Sequence, residues 1–334
     1  MSVETKKHSG EKHSREIEIP EIMHAAAIDR FGGPEVLTLH KVPVPVIDKG
    51  EVLIALDTAG VGKWDAEMRD GWYPGEHPTF PLILGTDGSG KVVAMGSHVR
   101  RFKLDEAVYA YSFANPKGGF YAEYVAVAAE NVAPVPKGLT MREAGAIPTT
   151  GLTALQGIDD ALQVKRGESV VLVGASGGVG TLAVQFAKLR GARVLAVAAG
   201  EDGIALVGRL GADDAVDGRH GDLSGALRKF SPVDAVLVAA GGEVTDRVVD
   251  SVKSGGVVAW PNGVEPTPKK RQDIRMIPYD AVPGVREFNN LALAIEAVRL
   301  KVPIAATFPL GDTSRAHRRL AEGHVLGKIV LDID

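Results

Sequence analysis

The sequence predicts an α/β protein with two parts, a barrel-like β module followed by a doubly wound parallel sheet. Between Met23 and about Pro148, short β-branched runs alternate with turns and glycine pairs, and long helical periods are few. After Pro148, apolar strand-like runs alternate with segments of helical periodicity, the pattern of parallel strands joined by helices. The last helical and strand-like segments, from Glu287 to Ile333, fit a return of the chain to the first module.

These changes of pattern predict the domain boundaries. Residues 1–22 are polar, mixed in charge and without a sustained period, so we expect a disordered tail there. Residues 148–285 hold the alternating strands and helices and are expected to form the parallel-sheet domain. Residues 23–147 and 286–334 are assigned together to a discontinuous barrel-like domain.

The composition excludes several classes of partner. The chain has 334 residues, 45% of them hydrophobic, which is enough for two domains with apolar cores. Its formal net charge of −4 provides no basic field for nucleic acid. No apolar run approaches the length of a transmembrane helix, and the N-terminus has no hydrophobic signal core. We therefore expect a cytoplasmic protein that binds neither nucleic acid nor membrane.

The supply of metal ligands is also small. The chain has no cysteine, and none of its nine histidines belongs to an HxxxH or HxH pattern. Zinc in proteins is often held by thiolates, so only histidine and carboxylate would remain to bind it here. The sequence therefore predicts no metal site.

One glycine-rich stretch indicates a ligand. The segment VLVGASGGVGTLAVQFA, residues 171–187, consists of a β-branched run, a cluster of glycines and a run with helical periodicity. It is predicted to be a strand, a tight turn and the start of a helix. Backbone N–H groups at a helix start bind anions, and missing side chains let a pyrophosphate approach closely. A tight connection without a ligand is the alternative, and the alternating strands and helices around the turn favour a dinucleotide.

Several stretches together resemble a known family, the medium-chain dehydrogenase/reductases, and within it the zinc-free branch typified by quinone oxidoreductases and zeta-crystallin. The resemblance covers Met23 to Ile333 and implies a GroES-like β-barrel catalytic domain and a Rossmann domain. It is carried by AGVGKWDAEMRDGWYP, GTDGSGKVVAMGSHV, GGFYAEYVAV, GASGGVGTLAVQFAKLRGARV and AEGHVLGKIVL.

The resemblance also bears on the metal. Zinc-dependent members of the family carry a cysteine after the first Gly-Val and a Gly-His-Glu further on. In this chain those positions hold Gly62 and the run Gly85-Thr86-Asp87. Neither position offers zinc a ligand that it prefers, which agrees with the absence of cysteine from the chain.

A set of cofactor contacts is implied by the resemblance. Backbone amides of the glycine turn form the pyrophosphate cradle, while Gly180 permits close packing of helix on strand. Further residues approach the nicotinamide from a helix start, line the opposite wall, or reach the pyrophosphate from the catalytic domain. The implied contacts are Ser176, Gly177, Gly178 and Val179 in the cradle, Thr150 and Thr153 at the helix start, Gly241 and Asn262 on the wall, and Lys328.

The choice between NAD and NADP depends on the end of the second strand. An acid there would bind the ribose 2′-hydroxyl and repel a 2′-phosphate, but the aligned position is Ala198. Arg219 is the candidate for a charge-assisted contact to the phosphate. We expect NADPH as the cofactor, and Glu201 and Asp202 keep NADH open as an alternative.

The substrate side is predicted by resemblance to the loop that lines the active-site cleft in quinone oxidoreductases. Tyr73 matches a tyrosine that can donate a hydrogen bond or a proton, and Asp65 matches an acid of the same loop. Gly62 replaces the usual asparagine, and Lys63 departs from the usual apolar residue.

The predicted reaction is hydride transfer from NADPH to a quinone or an α,β-unsaturated carbonyl compound, without a metal, in a homodimer. Such acceptors delocalise the developing charge onto an oxygen, which then needs only hydrogen-bond donors. Two alternatives stay open. An enoyl-thioester reductase is suggested by Lys63, and a non-catalytic, crystallin-like cofactor-binding protein by Gly62.

Overall fold

The computed structural model describes residues 18–75 and 78–333. Most of the predicted tail, residues 1–17, lies outside the described residues. The rest of it belongs to the fold. Ile19 packs against a small apolar cluster that contains Leu53 and Val93, and the Glu21 carbonyl accepts a hydrogen bond of 3.0 Å from the amide of Val44. The prediction of a tail that reaches residue 22 is therefore wrong at its end, because Ile19 contributes buried apolar surface.

The first part of the chain is mainly strands. Glycines and prolines separate these strands, as the sequence pattern predicts. The strands are β1 (Ile22–Ile28), β2 (Thr38–Pro43), β3 (Glu51–Val61), β4 (Leu82–Ile83), β5 (Asp87–Met95), β6 (Ala107–Tyr111), β7 (Tyr124–Ala128) and β8 (Val132–Pro134), with helix α1 (Lys63–Asp70) between β3 and β4.

The middle of the chain alternates helices and strands. Its strands are all parallel and lie in the order β11-β10-β9-β12-β13-β14, which confirms the predicted doubly wound sheet. We call this the parallel-sheet module. Its elements are α2 (Met141–Gly145), α3 (Pro148–Gln156), β9 (Ser169–Val173), α4 (Gly178–Leu189), β10 (Arg193–Ala198), α5 (Gly200–Arg209), β11 (Asp214–Asp217), α6 (Leu223–Phe230), β12 (Val233–Val238), α7 (Glu243–Asp250), β13 (Val252–Pro261) and β14 (Arg275–Tyr279).

The end of the chain returns to the first part. It contains α8 (Val285–Val298), β15 (Ile304–Pro309), α9 (Thr313–Ala321) and β16 (Lys328–Asp332). Strand β16 pairs antiparallel with β3, and the sheet has the order β15-β16-β3-β5-β6-β8, with β7 also paired to β3. We call β1–β8, β15 and β16 the barrel module. The boundaries at 148 and 286 stay predictions, because α8 packs against α3 and α4 as well as against β8.

Separate apolar clusters stabilise the two modules. One fills the interior of the barrel, and two cover the opposite faces of the parallel sheet. The cluster on one face of that sheet includes α3, α4 and α8, so it also joins the sheet to the end of the chain. Among the described residues, no helix has the length and apolar character that crossing a membrane requires.

Candidate active site

A cleft of about 1310 Å³ lies between the barrel module and the parallel-sheet module. Three distant parts of the chain supply its walls, which places the carboxyl ends of the parallel strands opposite the barrel. The residues that line it include Gly62, Lys63, Trp64, Glu67, Trp72, Thr86, Tyr111 and Phe113 from the barrel, Thr149, Thr150, Thr153, Gly174, Gly177–Gly180, Ala239–Gly241, Asn262–Glu265 and Asp280 from the parallel-sheet module, and Gly327 and Lys328.

The glycine turn occupies one end of this cleft. Strand β9 ends at Val173, Gly174 turns the chain with a φ of +76°, and α4 begins at Gly178. A Cβ built on Gly177 would have the Gly174 carbonyl oxygen, at 3.5 Å, as its nearest neighbour, so this side of the turn is open. Open space before the first amides of a helix fits a pyrophosphate.

Gly180 has the opposite surroundings. A Cβ built there would lie 2.5 Å from Ala175 Cα, so only glycine lets α4 pack this closely on the turn. Ser176 is the one predicted cradle residue that does not line the cleft. It is buried, and its carbonyl accepts a hydrogen bond of 2.9 Å from the amide of Gly327. Ser176 therefore joins the turn to the barrel module.

Three threonines at the start of α3 line the cleft. The hydroxyls of Thr150 and Thr153 donate to the backbone carbonyls of Ala146 (3.2 Å) and Thr149 (2.8 Å). The hydroxyl of Thr149 is buried and has no hydrogen-bond partner in the described part of the chain. A buried polar atom without a partner costs free energy, and of these three hydroxyls only that of Thr149 lacks a partner among the described residues. The sequence predicts contacts from Thr150 and Thr153 instead, because the motif does not show which threonine hydroxyls donate to backbone carbonyls of the helix.

Lys328 reaches the cleft from the first residue of β16. It is only 8% exposed, and its ammonium lies 4.0 Å from Oδ1 of the fully buried Asp87. The other oxygen of Asp87 accepts a hydrogen bond of 2.9 Å from the amide of Thr149. Lys328 therefore lies between a buried carboxylate and the glycine turn, since a Cβ on Gly178 would lie 3.8 Å from Lys328 Cδ.

Asp65, whose catalytic role stays a prediction, does not line the cleft. Its Oδ2 accepts hydrogen bonds from the amide of Gly62 (2.7 Å) and the hydroxyl of Tyr121 (3.0 Å), beneath the first turn of α1. Burial raises the pKa of Asp65 to about 6, although the nearby Lys328 acts to lower it. Asp65 therefore caps α1 and holds the amide of Gly62 in place.

A hydrogen-bond chain leads from Asp65 into the barrel. The hydroxyl of Tyr121 lies 3.2 Å from His317 Nε2, and Arg69 Nη1 lies 2.9 Å from His317 Nδ1. Because arginine can only donate, His317 accepts at Nδ1 and carries its hydrogen on Nε2, which donates to Tyr121. Burial, reinforced by Arg69, lowers the pKa of His317 to about 3. Each donor in the chain therefore points toward the carboxylate of Asp65.

Tyr73 is also outside the cleft. It borders a small separate cavity together with Met68 and Asn115. Helix α1 ends at Asp70, and the φ of +116° at the following Gly71 turns the chain so that Trp72, and not Tyr73, lines the cleft. The catalytic role of Tyr73 stays a prediction, and a sequence match does not show to which side each of two neighbouring side chains points.

Tyr111 is the tyrosine that lines the cleft. It ends β6, is largely buried, and its hydroxyl makes no hydrogen bond to any other described residue. Burial raises the pKa of Tyr111, and the carboxylates of Asp87 and Asp280 act in the same direction. The phenol therefore stays protonated and can donate. The alternating pattern of β6 predicted a strand, but it contained no signal for the cleft.

The wall opposite the barrel contains the predicted Gly241 and Asn262. The side-chain amide of Asn262 donates a hydrogen bond of 2.8 Å to Asp280, and a Cβ on Gly241 would come within 2.8 Å of the Glu265 carbonyl. Gly241 thus permits two loops to meet, and Asn262 is oriented by Asp280.

The end of β10 differs from the simple prediction. Ala198 is there as expected, but Asp217 of the neighbouring β11 accepts hydrogen bonds from the amides of Gly200 (3.0 Å), Arg219 (2.8 Å) and His220 (3.1 Å). These amides lower the pKa of Asp217 to about 2. The side chain of Arg219 does not line the cleft. An acid therefore does lie near the strand end, one strand away from the position that the sequence pointed to.

The two residues at the zinc-ligand positions, Gly62 and Thr86, offer no side chain that zinc prefers. Gly62 and Thr86 both line the cleft. Over residues 18–75 and 78–333, no three His, Cys, Asp or Glu side chains are grouped as a metal site would require.

Comparisons with known proteins agree with this geometry. Residues 48–137 match an alcohol dehydrogenase GroES-like domain, and residues 210–331 match a family described as zinc-binding dehydrogenase. The quinone oxidoreductase of Lama guanicoe is 30% identical over 93% of this chain and 97% of that protein. A human mitochondrial NAD(P)H oxidoreductase is also 30% identical, over 93% of this chain and 89% of that protein.

Solved structures show the same similarity over nearly the whole chain. The quinone oxidoreductase from Coxiella burnetii has a TM-score of 0.84 and 29% identity, covering 94% of this chain and all of that one. A mycobacterial protein complexed with NADPH has a TM-score of 0.81 and 27% identity, covering 93% of this chain and all of that one.

Proposed function

The chain belongs to the medium-chain dehydrogenase/reductase family, in its quinone oxidoreductase branch, and from this premise we propose that it is an NADPH-dependent reductase of quinones and α,β-unsaturated carbonyl compounds. The observation that carries the proposal is one cleft with an open glycine turn at one end and the unpartnered hydroxyl of Tyr111 on its wall. The first feature binds a dinucleotide, and the second serves a carbonyl acceptor.

The cofactor contacts are proposed on the same observations. The open side of Gly177 and the first amides of α4 would hold the pyrophosphate, with the ammonium of Lys328 beside them. The buried, unpartnered hydroxyl of Thr149 would hydrogen-bond the nicotinamide end. A relative that is 27% identical has been solved with NADPH, which supports this cofactor. Arg219 remains our proposed contact for the 2′-phosphate.

The reaction follows from what the lining residues can do. Bound NADPH supplies the hydride. The hydroxyl of Tyr111 stays protonated and donates a hydrogen bond to the carbonyl oxygen of the acceptor as negative charge develops on it. The indoles and phenyl ring of Trp64, Trp72 and Phe113 exclude water from the acceptor side of the cleft. We propose that no metal takes part, because Gly62 and Thr86 stand at the ligand positions; elemental analysis should find well below one zinc per chain.

An enoyl-thioester reductase is less well supported by the charges of the cleft. Lys63, its only hint in the sequence, donates a hydrogen bond of 2.7 Å to the Gly263 carbonyl and pairs with Glu67 at 3.2 Å. Glu67, Glu265 and Asp280 also line the cleft and would repel an anionic acyl carrier. A non-catalytic protein would have no use for the unpartnered hydroxyl of Tyr111.

Two tyrosine variants test the proposal. Tyr111→Phe removes the donor and keeps the ring, so we expect turnover to fall by about tenfold to a thousandfold, more for an enone than for a quinone. Tyr73→Phe is the matched control and should change turnover little. Steady-state rates with quinones, enones and enoyl thioesters, each with NADPH and NADH, measure both variants. Equal rates for Tyr111→Phe and the parent protein on every acceptor would exclude Tyr111 from the mechanism.

The proposal also includes a homodimer in the cytoplasm. Light scattering after size-exclusion chromatography would test the dimer, and fractionation of cells would test the compartment. A monomer at micromolar concentration would contradict the first part.

A further inference from the structure

The loop between β14 and α8 borders the cleft and is attached to the end of α3. We call residues 280–284 the β14–α8 loop; its first four residues line the cleft, and Gly284 precedes α8. Gln156, the last residue of α3, binds the backbone of Val282 through both groups of its side-chain amide. The nitrogen donates to the Val282 carbonyl at 2.8 Å, and the oxygen accepts from the Val282 amide at 3.0 Å.

These two hydrogen bonds fix the backbone of the β14–α8 loop. Pro283 has no N–H group, and of the other four amides of the loop only that of Val282 has a hydrogen-bond partner among the described residues. Val282 itself is 57% exposed. An exposed segment with so few backbone hydrogen bonds opens easily once they are removed, so the conformation of the loop depends on Gln156.

A second contact joins α3 to the residue before the loop. The hydroxyl of Tyr279, at the end of β14, donates to the Thr153 carbonyl at 2.8 Å. A Cβ on Gly157 would overlap this hydroxyl, so the close approach of β14 to the end of α3 requires glycine there. The helix that holds the loop also contributes the side chain of Thr153 to the cleft.

The same segment holds Asn262 in turn. The carbonyl of Tyr279 accepts a hydrogen bond of 2.9 Å from the backbone amide of Asn262, and the carboxylate of Asp280 accepts one of 2.8 Å from its side chain. Asn262 is our predicted contact on the nicotinamide wall of the cleft. A path of contacts therefore leads from Gln156, which does not line the cleft, through the loop to a residue that does.

We propose that Gln156 is a positioning residue for hydride transfer, because it fixes the β14–α8 loop and so holds Asp280 and Asn262 in place beside the nicotinamide. This inference rests on the proposed function, since it names a further residue on which the same reaction depends. The glycine turn, where the pyrophosphate would bind, belongs to other elements. Loss of the Gln156 contacts should therefore reduce the rate of hydride transfer more than the affinity for NADPH, since small displacements of reacting groups lower the rate.

Hydrogen exchange of the protein without cofactor is the first test. Gln156→Met removes both hydrogen-bonding groups and keeps a side chain of similar length, so the Val282 amide, followed by NMR, should exchange about three- to tenfold faster. Gln272→Met, at an exposed position close to β14 and outside the cleft, is the matched control and should leave this exchange unchanged. Unchanged exchange of the Val282 amide in Gln156→Met would overturn the proposal.

The rate of hydride transfer is the second test. In a single turnover with excess quinone, Gln156→Met should slow NADPH oxidation about tenfold, while its Kd for NADPH should change less than about twofold. Gln156→Glu keeps the acceptor for the Val282 amide and loses the donor to the carbonyl, so we expect an intermediate rate. The parent rate in Gln156→Met, or a rise in Kd by the same factor as the fall in rate, would overturn the proposal.

Failure of the proposed function gives a different result. If the parent protein oxidises NADPH with no quinone or enone, the proposed reaction fails, and the fluorescence anisotropy of bound NADPH then decides on Gln156. A fixed wall restricts the nicotinamide, so the anisotropy should be lower in Gln156→Met than in the parent protein and in Gln272→Met. Equal anisotropy in all three proteins would overturn the proposal.

Discussion

At the scale of single residues, the buried Asp65 and His317 contribute to stability with opposite pH dependence. The pKa of His317 is about 3 in the fold against an ordinary 6.5, so between these values only the unfolded chain binds the proton. Stability therefore falls as pH decreases through that window. The pKa of Asp65 is about 6 against an ordinary 3.8, so the folded chain binds the extra proton. Stability therefore falls as pH rises through that second window.

The variant His317→Gln separates these two effects. It removes the titrating imidazole and leaves Asp65. The unfolding free energy should therefore lose the increase that His317 contributes between about pH 4 and about pH 6. Its slope against pH should become more negative than that of the parent protein by at most about 1.4 kcal/mol per pH unit. Urea titrations at several pH values measure the slopes. His220→Gln, at an exposed turn, is the control, and the same slope in all three proteins would contradict the pKa assignment.

The residues of the site show where prediction from sequence stops. Most of the predicted cofactor contacts do line the cleft, because the motifs that carry them lie at fixed offsets from strand and helix ends. They are three of the four cradle residues, with Thr150, Thr153, Lys328, Gly241 and Asn262. Tyr73 does not line the cleft, and Tyr111 does. Trp72, the neighbour of Tyr73, lines the cleft in its place, because the left-handed backbone at Gly71 turns these two side chains to different sides. No periodicity in the sequence records that choice.

At the scale of elements, the glycine turn has two sides with different functions. The Gly177 side is open toward the cleft, whereas the Gly180 side is in contact with the backbone of Ala175. The extended backbone at Gly177, with a φ of −83°, is accessible to any residue. Ligand approach and helix packing therefore depend on different glycines of one turn.

Two alanine substitutions test this division. Gly177→Ala should leave the melting temperature without cofactor nearly unchanged and weaken NADPH binding by about tenfold or more, because its methyl group occupies the space of the pyrophosphate. Gly180→Ala should destabilise the protein without cofactor by about 1–3 kcal/mol through overpacking. Thermal unfolding and a fluorescence titration with NADPH measure the two effects. A large loss of stability in Gly177→Ala would show that the open side is structural.

The element pattern was predictable where apolar runs are strong. The strands at the centre of the parallel sheet are buried on both faces and are continuous apolar runs. The run from Ser169 to Val173 predicts a strand, and these are the observed bounds of β9. The sequence from Gly151 to Leu162 predicts a helix, but α3 begins at Pro148 and changes to a π-helical turn after Gln156. Strand β14 was not predicted, because an edge strand with the sequence RMIPY has neither alternation nor an uninterrupted apolar run.

At the scale of the whole molecule, contacts between distant segments build the cleft. Lys63 binds the backbone of Gly263, and Gly327 binds that of Ser176. His324, after α9, lies 2.9 Å from the carboxylate of Asp202 in the first turn of α5. The sequence predicts each module from local pattern, but it does not predict which loops of the two modules meet. A ligand that spans the cleft binds both modules and should stabilise the folded molecule as a whole.

Cofactor preference can be measured through this stabilisation. A ligand at a hundredfold excess over its Kd adds about 2.7 kcal/mol to the unfolding free energy, so thermal unfolding ranks NADPH against NADH without any acceptor. We expect the larger shift with NADPH. Arg219→Ala should lose about 1.5–3 kcal/mol of NADPH affinity, with little change for NADH, if its guanidinium pairs with the 2′-phosphate.

Lys229→Ala is a matched control that removes a cation from the end of α6 on the same module. It should leave both shifts unchanged. Equal shifts with NADPH and NADH in the parent protein would contradict the preference. That result would point to Asp217, whose low pKa keeps a negative charge beside the end of β10, as the group that disfavours a phosphate there.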